Sequence, residues 1–377
     1  GLGWRPRARA ALAMALPTAA AALGAHVAWA RGGPAVAGTA EDVATVIALL
    51  ACFLAIGAVP GAIARRIAAR AILPPASAEM PAPPTRTAAP ERRQAATVVL
   101  GRRAILRAAP SALPLGSAAT GAASILFANG PPERPVRRLD VGDLPPELAG
   151  MCILQLSDLH LGVERSVADV ERFVERLRED RVHPDLVALT GDFADDLDQL
   201  EPMLRAIAAI RPRLGTYACL GNHEHHLDPA RVRRTFARSD AVLLEAEGVR
   251  VPGARLYVAG TGDVMGGDPG PFYEREVDRA VRDAGRSDLV LLLAHRPDAF
   301  LAARARGVGV TLSGHTHGGQ IGWAGQSALE GPLRRKMWGT YGDARARLYL
   351  TSGFGHWFRF RLGCPTEAPL LLLAPSP

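Results

Sequence analysis

The feature that most constrains this chain is a repeated pairing of a short apolar run with a polar cluster directly behind it. Beyond about residue 150 such runs recur, and their length and lack of a helical period favour buried β-strands. The predicted strands are Cys152–Leu156, Leu186–Thr190, Thr216–Leu220, Leu256–Ala259, Leu289–Ala294, Val308–Leu312, Leu348–Thr351 and Leu370–Leu373.

Amphipathic segments between these runs complete the pattern. In residues 166–180, apolar side chains recur at spacings of three and four, with Ser166 suited to cap a helix and Asp169 in its first turn. Pro297 is well placed to open another helix after the run that ends at Ala294. Strands that alternate with helices predict an α/β fold.

Five of the predicted strands lead into polar clusters. The clusters are Ser157-Asp158-Leu159-His160, Gly191-Asp192-Phe193-Ala194-Asp195, Gly221-Asn222-His223-Glu224, His295, and Gly314-His315-Thr316-His317. In open α/β sheets, ligands bind beyond the carboxyl ends of the strands, so we expect these clusters to converge on one site. We expect Asp158 and His160 to share one side of an extended strand end, and likewise His315 and His317. Glycine before Asp192, Asn222 and His315 would permit the tight turns that aim ligands inward.

The chemistry of this set points to metal ions. Carboxylate, imidazole and amide groups suit Mn, Fe, Zn or a similar divalent ion, and the chain has no C-x-x-C pair for a cysteine zinc site. The ligands suffice for two ions, which can hold a bridging hydroxide and clamp a phosphoryl group for in-line attack. Taken singly, Gly-Asp, Gly-Asn and His-x-His are ordinary turn sequences. All five clusters in order, each behind a strand, indicate a dinuclear site.

The same residues resemble the motifs of the calcineurin-like metallophosphoesterases. The order is D-x-H at 158–160, G-D-x-x-D at 191–195, G-N-H-E at 221–224, an isolated His295 and G-H-T-H at 314–317. The longer strings LSDLHLG, TGDFAD, GNHEHH, LAHRPD and SGHTHGGQIG, together with RLGCPTE at 361–367, are similar to one bacterial branch. Members of that branch carry N-terminal membrane or export segments. The resemblance covers residues 138–374.

The resemblance implies a four-layer αββα sandwich, with two mixed sheets face to face and helices outside. It also implies metal ligands: Asp158, His160 and His317 for one ion, Asn222, His295 and His315 for the other, and Asp192 as the bridge between them. His223 would lie near the leaving-group oxygen as general acid or transition-state donor, and Asp195 would orient it. Weaker candidates for substrate contacts are Gln320, Trp323 and Arg359, with Arg361 as the alternative to Arg359 for a phosphate contact.

The N-terminal third predicts membrane segments. Residues 43–64 carry no charge, and at about 1.5 Å per residue a helix of that length crosses a hydrocarbon core of about 30 Å. Residues 10–30 are also uncharged, with a signal-peptide region or a surface-lying helix as alternatives. Residues 104–128 follow Arg102-Arg103 and resemble a twin-arginine export signal, with a third membrane element or a basic linker as alternatives.

The domain prediction follows from these segments. Residues 1–72 form a membrane region with two transmembrane helices, residues 73–137 a Pro/Ala-rich linker that contains the twin-arginine-like segment, and residues 138–377 the phosphoesterase domain. Arginines flank the two spans, and the positive-inside rule therefore puts both ends of the hairpin in the cytoplasm. We predict a multi-pass cell-membrane protein. Its catalytic domain is extracytoplasmic if residues 104–128 cross, and cytoplasmic if they do not.

Charge is unevenly spread along the chain. Residues 1–140 hold 16 basic and 6 acidic side chains, whereas residues 141–377 hold 28 basic and 31 acidic ones. A nucleic-acid-binding enzyme would need positive charge on its catalytic part, so a nucleic-acid partner is not expected.

The sequence thus predicts a membrane-anchored dinuclear-metal phosphoesterase that hydrolyses phosphomonoesters or phosphodiesters by attack of a metal-bridging hydroxide. The anchor and the aromatic-rich segment 354–360, a candidate lipid-facing lip, favour a lipid-linked or cell-envelope substrate. A UDP-diacylglucosamine-type pyrophosphate hydrolase is one specific form of this hypothesis. A nuclease and a non-catalytic metal-dependent membrane receptor are the alternatives. The charge counts against the nuclease, and the complete ligand set with His223 counts against the receptor.

Overall fold

A computed structural model describes residues 119–120, 123–124, 128, 130–323, 325–356 and 359–377. The predicted spans at 10–30 and 43–64 lie outside the described residues, as does the segment 104–128 apart from five of its residues. Within the described ranges, no helix is both long and apolar enough to cross a bilayer. The chain divides after Leu126, and the fold given below is that of the unit Phe127–Pro377. The predicted boundaries at 72 and 137 stay predictions.

This unit contains two six-stranded sheets. The strands of the first sheet, in spatial order, are β1 (Val136–Val141), β14 (Leu370–Pro375), β2 (Cys152–Leu156), β3 (Leu186–Thr190), β4 (Thr216–Cys219) and β5 (Ala241–Leu243). The strands of the second are β12 (Gly339–Asp343), β13 (Ala346–Leu350), β9 (Val310–Ser313), β8 (Leu289–Leu293), β7 (Leu256–Gly260) and β6 (Glu247–Arg250). A short hairpin joins β10 (Gly322–Trp323) to β11 (Gln326–Ser327).

Both sheets have a parallel centre. Strands β2, β3, β4 and β5 are parallel, and so are β7, β8, β9 and β13. Antiparallel neighbours make each sheet mixed: β14 beside β2 in the first, and β6 and β12 at the edges of the second. All eight predicted strands are present, with ends that differ by at most two residues. The strands that the sequence did not predict are short or lie at sheet edges, where an apolar run is not required.

Seven α-helices lie in the described part of this unit. They are α1 (Val167–Glu179), α2 (Leu200–Ala208), α3 (Asn222–His226), α4 (Pro229–Phe236), α5 (Pro269–Ala280), α6 (Phe300–Ala305) and α7 (Glu330–Leu333). Helix α1 begins as predicted, because Ser166 is its N-cap and the Asp169 carboxylate accepts the Ser166 backbone N–H at 2.9 Å. Pro297 opens a 3₁₀ turn that leads into α6.

The apolar core lies between the sheets and on their outer faces. Ile153 and Ala188 of the first sheet share one buried cluster with Val258, Leu291 and Leu312 of the second, so the two sheets pack face to face. Helices α1, α2 and α4 cover the outer face of the first sheet, and α5 and α6 cover the second. The order of layers is therefore helix, sheet, sheet, helix, as the resemblance implies.

Polar contacts join the two sheets at the carboxyl ends of their strands. The Gln155 side-chain amide of β2 donates to Thr190 Oγ1 at the end of β3 and to the carbonyl of Ser313 at the end of β9, both at 3.0 Å. The ends of β2, β3 and β9 thus meet at one edge of the sandwich. The five polar clusters begin at this edge.

Candidate metal centre

The polar clusters converge at that edge of the sandwich. Three groups of ligand atoms each lie within 4.8 Å of one another. The groups are Asp158 with His160 and His317, His160 with Asp192 and His223, and Asp192 with His295 and His315. Because Asp192 and His160 each belong to two groups, the groups form one continuous cluster. The predicted bridging residue, Asp192, lies at its centre.

We name Asp158, His160 and His317 the buried half of the cluster, since each is at most 3% exposed. Its ligand atoms are close together. His160 Nε2 lies 3.3 Å from His317 Nε2 and 3.7 Å from Asp192 Oδ2, and His317 Nε2 lies 3.5 Å from Asp158 Oδ1. Lone pairs gathered at such distances suit a shared cation. These side chains therefore fit the divalent ion that the sequence predicts.

We name Asn222, His295 and His315 the open half, because Asn222 and His315 are only half-buried. His295 Nε2 lies 3.2 Å from both Asp192 Oδ2 and His315 Nδ1. His295 Nδ1 donates to the Thr190 carbonyl at 2.8 Å, which orients Nε2 toward Asp192. Asn222 Oδ1 is buried and accepts no hydrogen bond from the described residues. A buried amide oxygen without a donor is costly, and a cation at this point would satisfy it.

Asp195 connects the predicted catalytic histidine to the buried half. Its Oδ1 lies 2.5 Å from His223 Nδ1, and its Oδ2 lies 3.1 Å from His160 Nδ1. The His223 backbone N–H donates to Asp192 Oδ1 at 3.0 Å, and His223 Nε2 lies 4.0 Å from Asp192 Oδ2. The sequence predicted that Asp195 orients His223. The second contact, to the metal-ligand candidate His160, was not predicted.

Electrostatics favour a charged His223. Burial alone would lower the pKa of His223, but the hydrogen bond to Asp195 and the charges of Asp192 and Asp195 outweigh it and raise the pKa to about 9. Near neutral pH the ring is therefore protonated. With Nδ1–H directed at Asp195, the proton on Nε2 remains to be donated.

The pKa values of the bridging carboxylate and of the two histidines of the last motif are all lowered, which ionises the carboxylate and leaves the imidazoles neutral. Burial would raise the pKa of Asp192, but the imidazoles, His295 first, hold it well below its usual range. Burial and the neighbouring His295 lower the pKa of His315 to about 3. Burial and the neighbouring His160 hold the pKa of His317 well below its usual range. An ionised carboxylate and neutral imidazoles are the forms that bind metal. Although burial would lower them, Asp195 raises the pKa of His160 and Asp192 raises the pKa of His295 to about 10, so an ion bound at these two histidines would displace a proton.

The backbone at the ligands is not extended, so the prediction of ligands paired along strand ends is wrong. Strand β2 ends at Leu156 and β9 at Ser313, before the ligands begin. Five of the predicted ligands have left-handed backbone φ angles: Asp158 (53°), His160 (48°), Asp192 (53°), His315 (71°) and His317 (49°). L residues rarely adopt this conformation, and such strain concentrates at functional sites.

Two of the glycines beside the ligands are needed for space. A Cβ on Gly221 would lie 2.2 Å from Asp192 Oδ1, and a Cβ on Gly314 would lie 2.1 Å from Asp158 Oδ2. Neither glycine has a positive φ. The sequence prediction of turn-permitting glycines therefore holds for Gly191, whose φ is 80°, whereas close approach explains Gly221 and Gly314.

Glu224 is a residue of the site that the sequence analysis did not identify. Its buried carboxylate accepts the backbone N–H groups of Asp192 (2.9 Å), Phe193 (2.7 Å) and Gly221 (2.8 Å). Burial first, and then the charge of Asp192, raise the pKa of Glu224 to about 7. The Glu of G-N-H-E was the available signal, because it occupies the N3 position of the short helix α3.

Arg361, which the sequence offered as the alternative to Arg359 for a phosphate contact, has a supporting role that was not predicted, and this role explains part of the tail motif RLGCPTE. The guanidinium is buried and donates to the carbonyls of His317 (3.0 Å), Ser352 (2.9 Å) and Gly355 (2.8 Å). These bonds tie the His317 loop to the segment after β13. Arg361 thus holds the loop that carries His317 in place.

The aromatic segment does not form the expected lip at the two positions described. Phe354 is fully buried, with its ring centroid 5.4 Å from that of Phe173 in the core, and Phe360 is buried as well. Trp357 and Phe358 lie outside the described residues. The aromatic side chain of Phe354 is explained by its packing against α1.

The candidate substrate residues lie on nearby loops. The Gln320 side-chain amide donates to the Phe360 carbonyl at 2.9 Å, and Trp323 on β10 is 84% exposed. Arg359 Nε lies 3.6 Å from the Glu164 carboxylate. Their contact with substrate stays a prediction.

Comparisons with known proteins agree with this site. The family model described as Calcineurin-like phosphoesterase matches residues 151–319. The chain is 29% identical over 226 residues to the uncharacterised metallophosphoesterase YkuE of Bacillus subtilis, covering 56% of this chain and 74% of that protein. It is 31% identical over 191 residues to the uncharacterised metallophosphoesterase YkoQ of the same organism, covering 49% and 67%. A Bos taurus protein named transmembrane protein with metallophosphoesterase domain is 28% identical over 270 residues, covering 67% and 60%.

Proposed function

Because the chain belongs to the calcineurin-like phosphoesterase family and is a metal-dependent phosphoester hydrolase, we propose that it uses two divalent ions. One ion would be held by the buried half, the other by the open half, and Asp192 would contact both. The observation that supports this most is that two ligand sets meet at one carboxylate, Asp192. Asn222, which precedes His223 in the chain, adds a buried Oδ1 without a hydrogen-bond partner among the described residues. When bound, Mn, Fe or Zn ions supply a water-derived nucleophile at neutral pH and neutralise phosphoryl charge.

The residues of the chain then have separate tasks in the proposed reaction. His223 donates the proton on Nε2 to the leaving-group oxygen, or holds it there as a hydrogen bond in the transition state. Asp195 accepts the Nδ1–H of His223 and so keeps the donating proton on Nε2. Because Asp195 also contacts His160, the donor and the buried half are held at a fixed separation.

We further propose a membrane location and a lipid-linked or cell-envelope substrate, with phosphomonoesters and phosphodiesters both admissible. The uncharged stretches at 10–30 and 43–64 support a multi-pass anchor. The names of two relatives, from Bos taurus and Danio rerio, support a membrane setting, although the chain covers only 60% and 46% of those proteins. A UDP-diacylglucosamine-type pyrophosphate hydrolase remains one form of this proposal. A nuclease is disfavoured by the acidic excess over residues 141–377.

The test uses the full chain in lipid nanodiscs, stripped of metal and reloaded with Mn, Fe, Zn or Mg. We expect about two ions per chain by elemental analysis, and turnover of p-nitrophenyl phosphate or bis-p-nitrophenyl phosphate only after reloading. In His223→Asn we expect kcat to fall by about 10²- to 10⁴-fold with metal content unchanged. The matched control is His183→Asn, since His183 is exposed on the loop before β3.

Two results would contradict the proposal. Binding of one ion only would refute the dinuclear centre. Full retention of turnover in His223→Asn would refute the proton-donor role. Metal binding without turnover of any phosphate ester would instead support the receptor alternative.

A further inference from the structure

A groove begins at the open half of the cluster and leads away from it. Its volume is about 850 Å³, and His315 lies in its wall. The groove runs between the loop after β7, the start of α6 and the segment around α7. A phosphate held at the ligand cluster would therefore direct one substituent into this groove. Nothing in the phosphoester chemistry itself requires such a space.

The walls of the groove expose apolar side chains to an unusual degree. In the described part of the chain, seven large apolar residues are exposed, and three of them line this groove: Met265, Leu301 and Leu333. Leu301 is 73% exposed although it lies on a helix, α6, in which Phe300, Ala302 and Ala303 are buried. Exposed apolar side chains that gather in one place mark a binding surface.

Basic side chains line the same groove. Arg334 and Arg335 are exposed at the end of α7, and Lys336 follows with its ammonium 5.8 Å from the Phe300 ring centroid and 5.9 Å from that of Tyr341. Arg296 also lines the groove, but its guanidinium is paired with Asp263 Oδ1 at 2.7 Å, so the positive charge comes from Arg334, Arg335 and Lys336, with Asp298 as a carboxylate in the same lining. This local charge contrasts with the acidic excess of residues 141–377 as a whole. A ligand with negative charge near an apolar part matches this lining.

The lining argues against a nucleotide as the occupant. Bases bind proteins largely by stacking on exposed aromatic rings. Among the Phe, Tyr and Trp side chains of the described residues, Phe300 alone lines the groove, and it is 3% exposed; the other rings in the wall are the imidazoles of His226 and His315. An alkyl or acyl chain, in contrast, needs only apolar surface.

We propose that this groove binds the apolar chain of an amphiphilic phosphate ester, with the basic rim at Arg334, Arg335 and Lys336 facing the negative charge of its head. The inference rests on the proposed function, because it takes the ligand cluster as the site of the phosphate. It adds to the lipid-linked substrate proposed above the surface that would bind its aliphatic chain.

The test is a chain-length series on the full chain in nanodiscs: p-nitrophenyl methyl, butyl, hexyl and octyl phosphodiesters, below their micellar concentrations. We expect kcat/KM of the unsubstituted protein to rise about twofold to fourfold for each added methylene. In the double variant Leu301→Ser/Leu333→Ser we expect this slope to fall by at least half, with the methyl ester hydrolysed as before. Val136→Ser/Val242→Ser is the matched control, since both valines are exposed on edge strands outside the groove.

A binding experiment tests the groove assignment independently of the proposed catalytic activity. Calorimetry compares octylphosphonate with methylphosphonate, which cannot be hydrolysed. We expect tighter binding of the octyl compound and an approximately tenfold loss of that preference in Leu301→Ser/Leu333→Ser only. The groove assignment is overturned if kcat/KM does not depend on chain length, or if the double variant leaves this dependence intact. In either case turnover itself still supports the proposed function. A groove-dependent binding preference without turnover of any ester supports the groove assignment and overturns the proposed function.

Discussion

The buried and open halves of the ligand cluster use similar side chains in different surroundings. Asp158, His160 and His317 are all buried, whereas Asn222 and His315 are half-buried and His315 borders the groove. Burial slows exchange with solvent, and partial exposure admits a substrate. We therefore expect an ion in the buried half to be retained more firmly, and an ion in the open half to meet the phosphate first.

The supports of the two halves differ as well. In the buried half, side chains from other loops hold the ligands: Asp195 contacts His160, and Arg361 contacts the loop of His317. In the open half, different groups act: a backbone carbonyl holds the ligand His295, and the Glu224 carboxylate holds backbone N–H groups next to the bridge. The carbonyl is that of Thr190, and the N–H groups are those of Asp192 and Gly221. Each half can thus be perturbed without removing a ligand.

We expect the largest loss of activity from substitution of Asp192, the residue at which the two halves join. Asp192→Asn should lower kcat by about 10³-fold or more, because a neutral amide replaces the carboxylate that belongs to ligand groups of both halves, and several kcal/mol of charge stabilisation are lost. We expect metal content to fall below one ion per chain, measured by elemental analysis beside steady-state kinetics. Asp240→Asn is the matched control, since Asp240 is exposed before β5. Full activity with two bound ions in Asp192→Asn would refute the bridging role.

Much of this arrangement could be predicted from the sequence, because it depends on strand ends. A buried strand in a parallel sheet is a short apolar run, and the residue after it must lie at the sheet edge. For that reason Asp158, Asp192, Asn222, His295 and His315 were placed at one edge before any geometry was available. The capped start of α1 was predicted for a similar reason, since Ser166 and Asp169 interact locally.

The structural features that the sequence did not predict depend on contacts between distant segments. Arg361 supports the loop of His317 from 44 residues away, and no periodicity marks that contact. The left-handed φ angles at the ligands are fixed by packing at the sheet edge, so an extended geometry was the natural but wrong expectation. The groove also joins three separate segments, two of them with no predicted strand or helix.

For Glu224→Gln we expect a smaller effect than for Asp192→Asn: a loss of stability, and a loss of metal affinity that is confined to the bridge and the open half. The amide of Gln offers one acceptor oxygen in place of two, so at least one of the three N–H groups at Asp192, Phe193 and Gly221 loses its partner. We expect the free energy of unfolding to fall by about 1–3 kcal/mol. In a titration of metal-free protein with Mn, the weaker of two binding steps should lose about 10- to 100-fold in affinity.

Glu274→Gln controls for this change, because Glu274 is exposed on α5. An unchanged weaker step in Glu224→Gln, or an equal loss in both steps, would show that Glu224 does not act on the open half selectively.

The smallest effect is expected for Arg361→Lys, which perturbs the buried half alone. The Lys ammonium keeps the charge but lacks the fork that reaches the carbonyls of His317, Ser352 and Gly355 together. We expect a loss of about 1–3 kcal/mol in unfolding free energy and less than about tenfold in the tighter Mn step, with the weaker step unchanged. Arg345→Lys, exposed in the turn between β12 and β13, is the matched control. If Arg361→Lys instead weakened the open-half step, the two halves would share one support, and the assignment of separate supports to the two halves would be wrong.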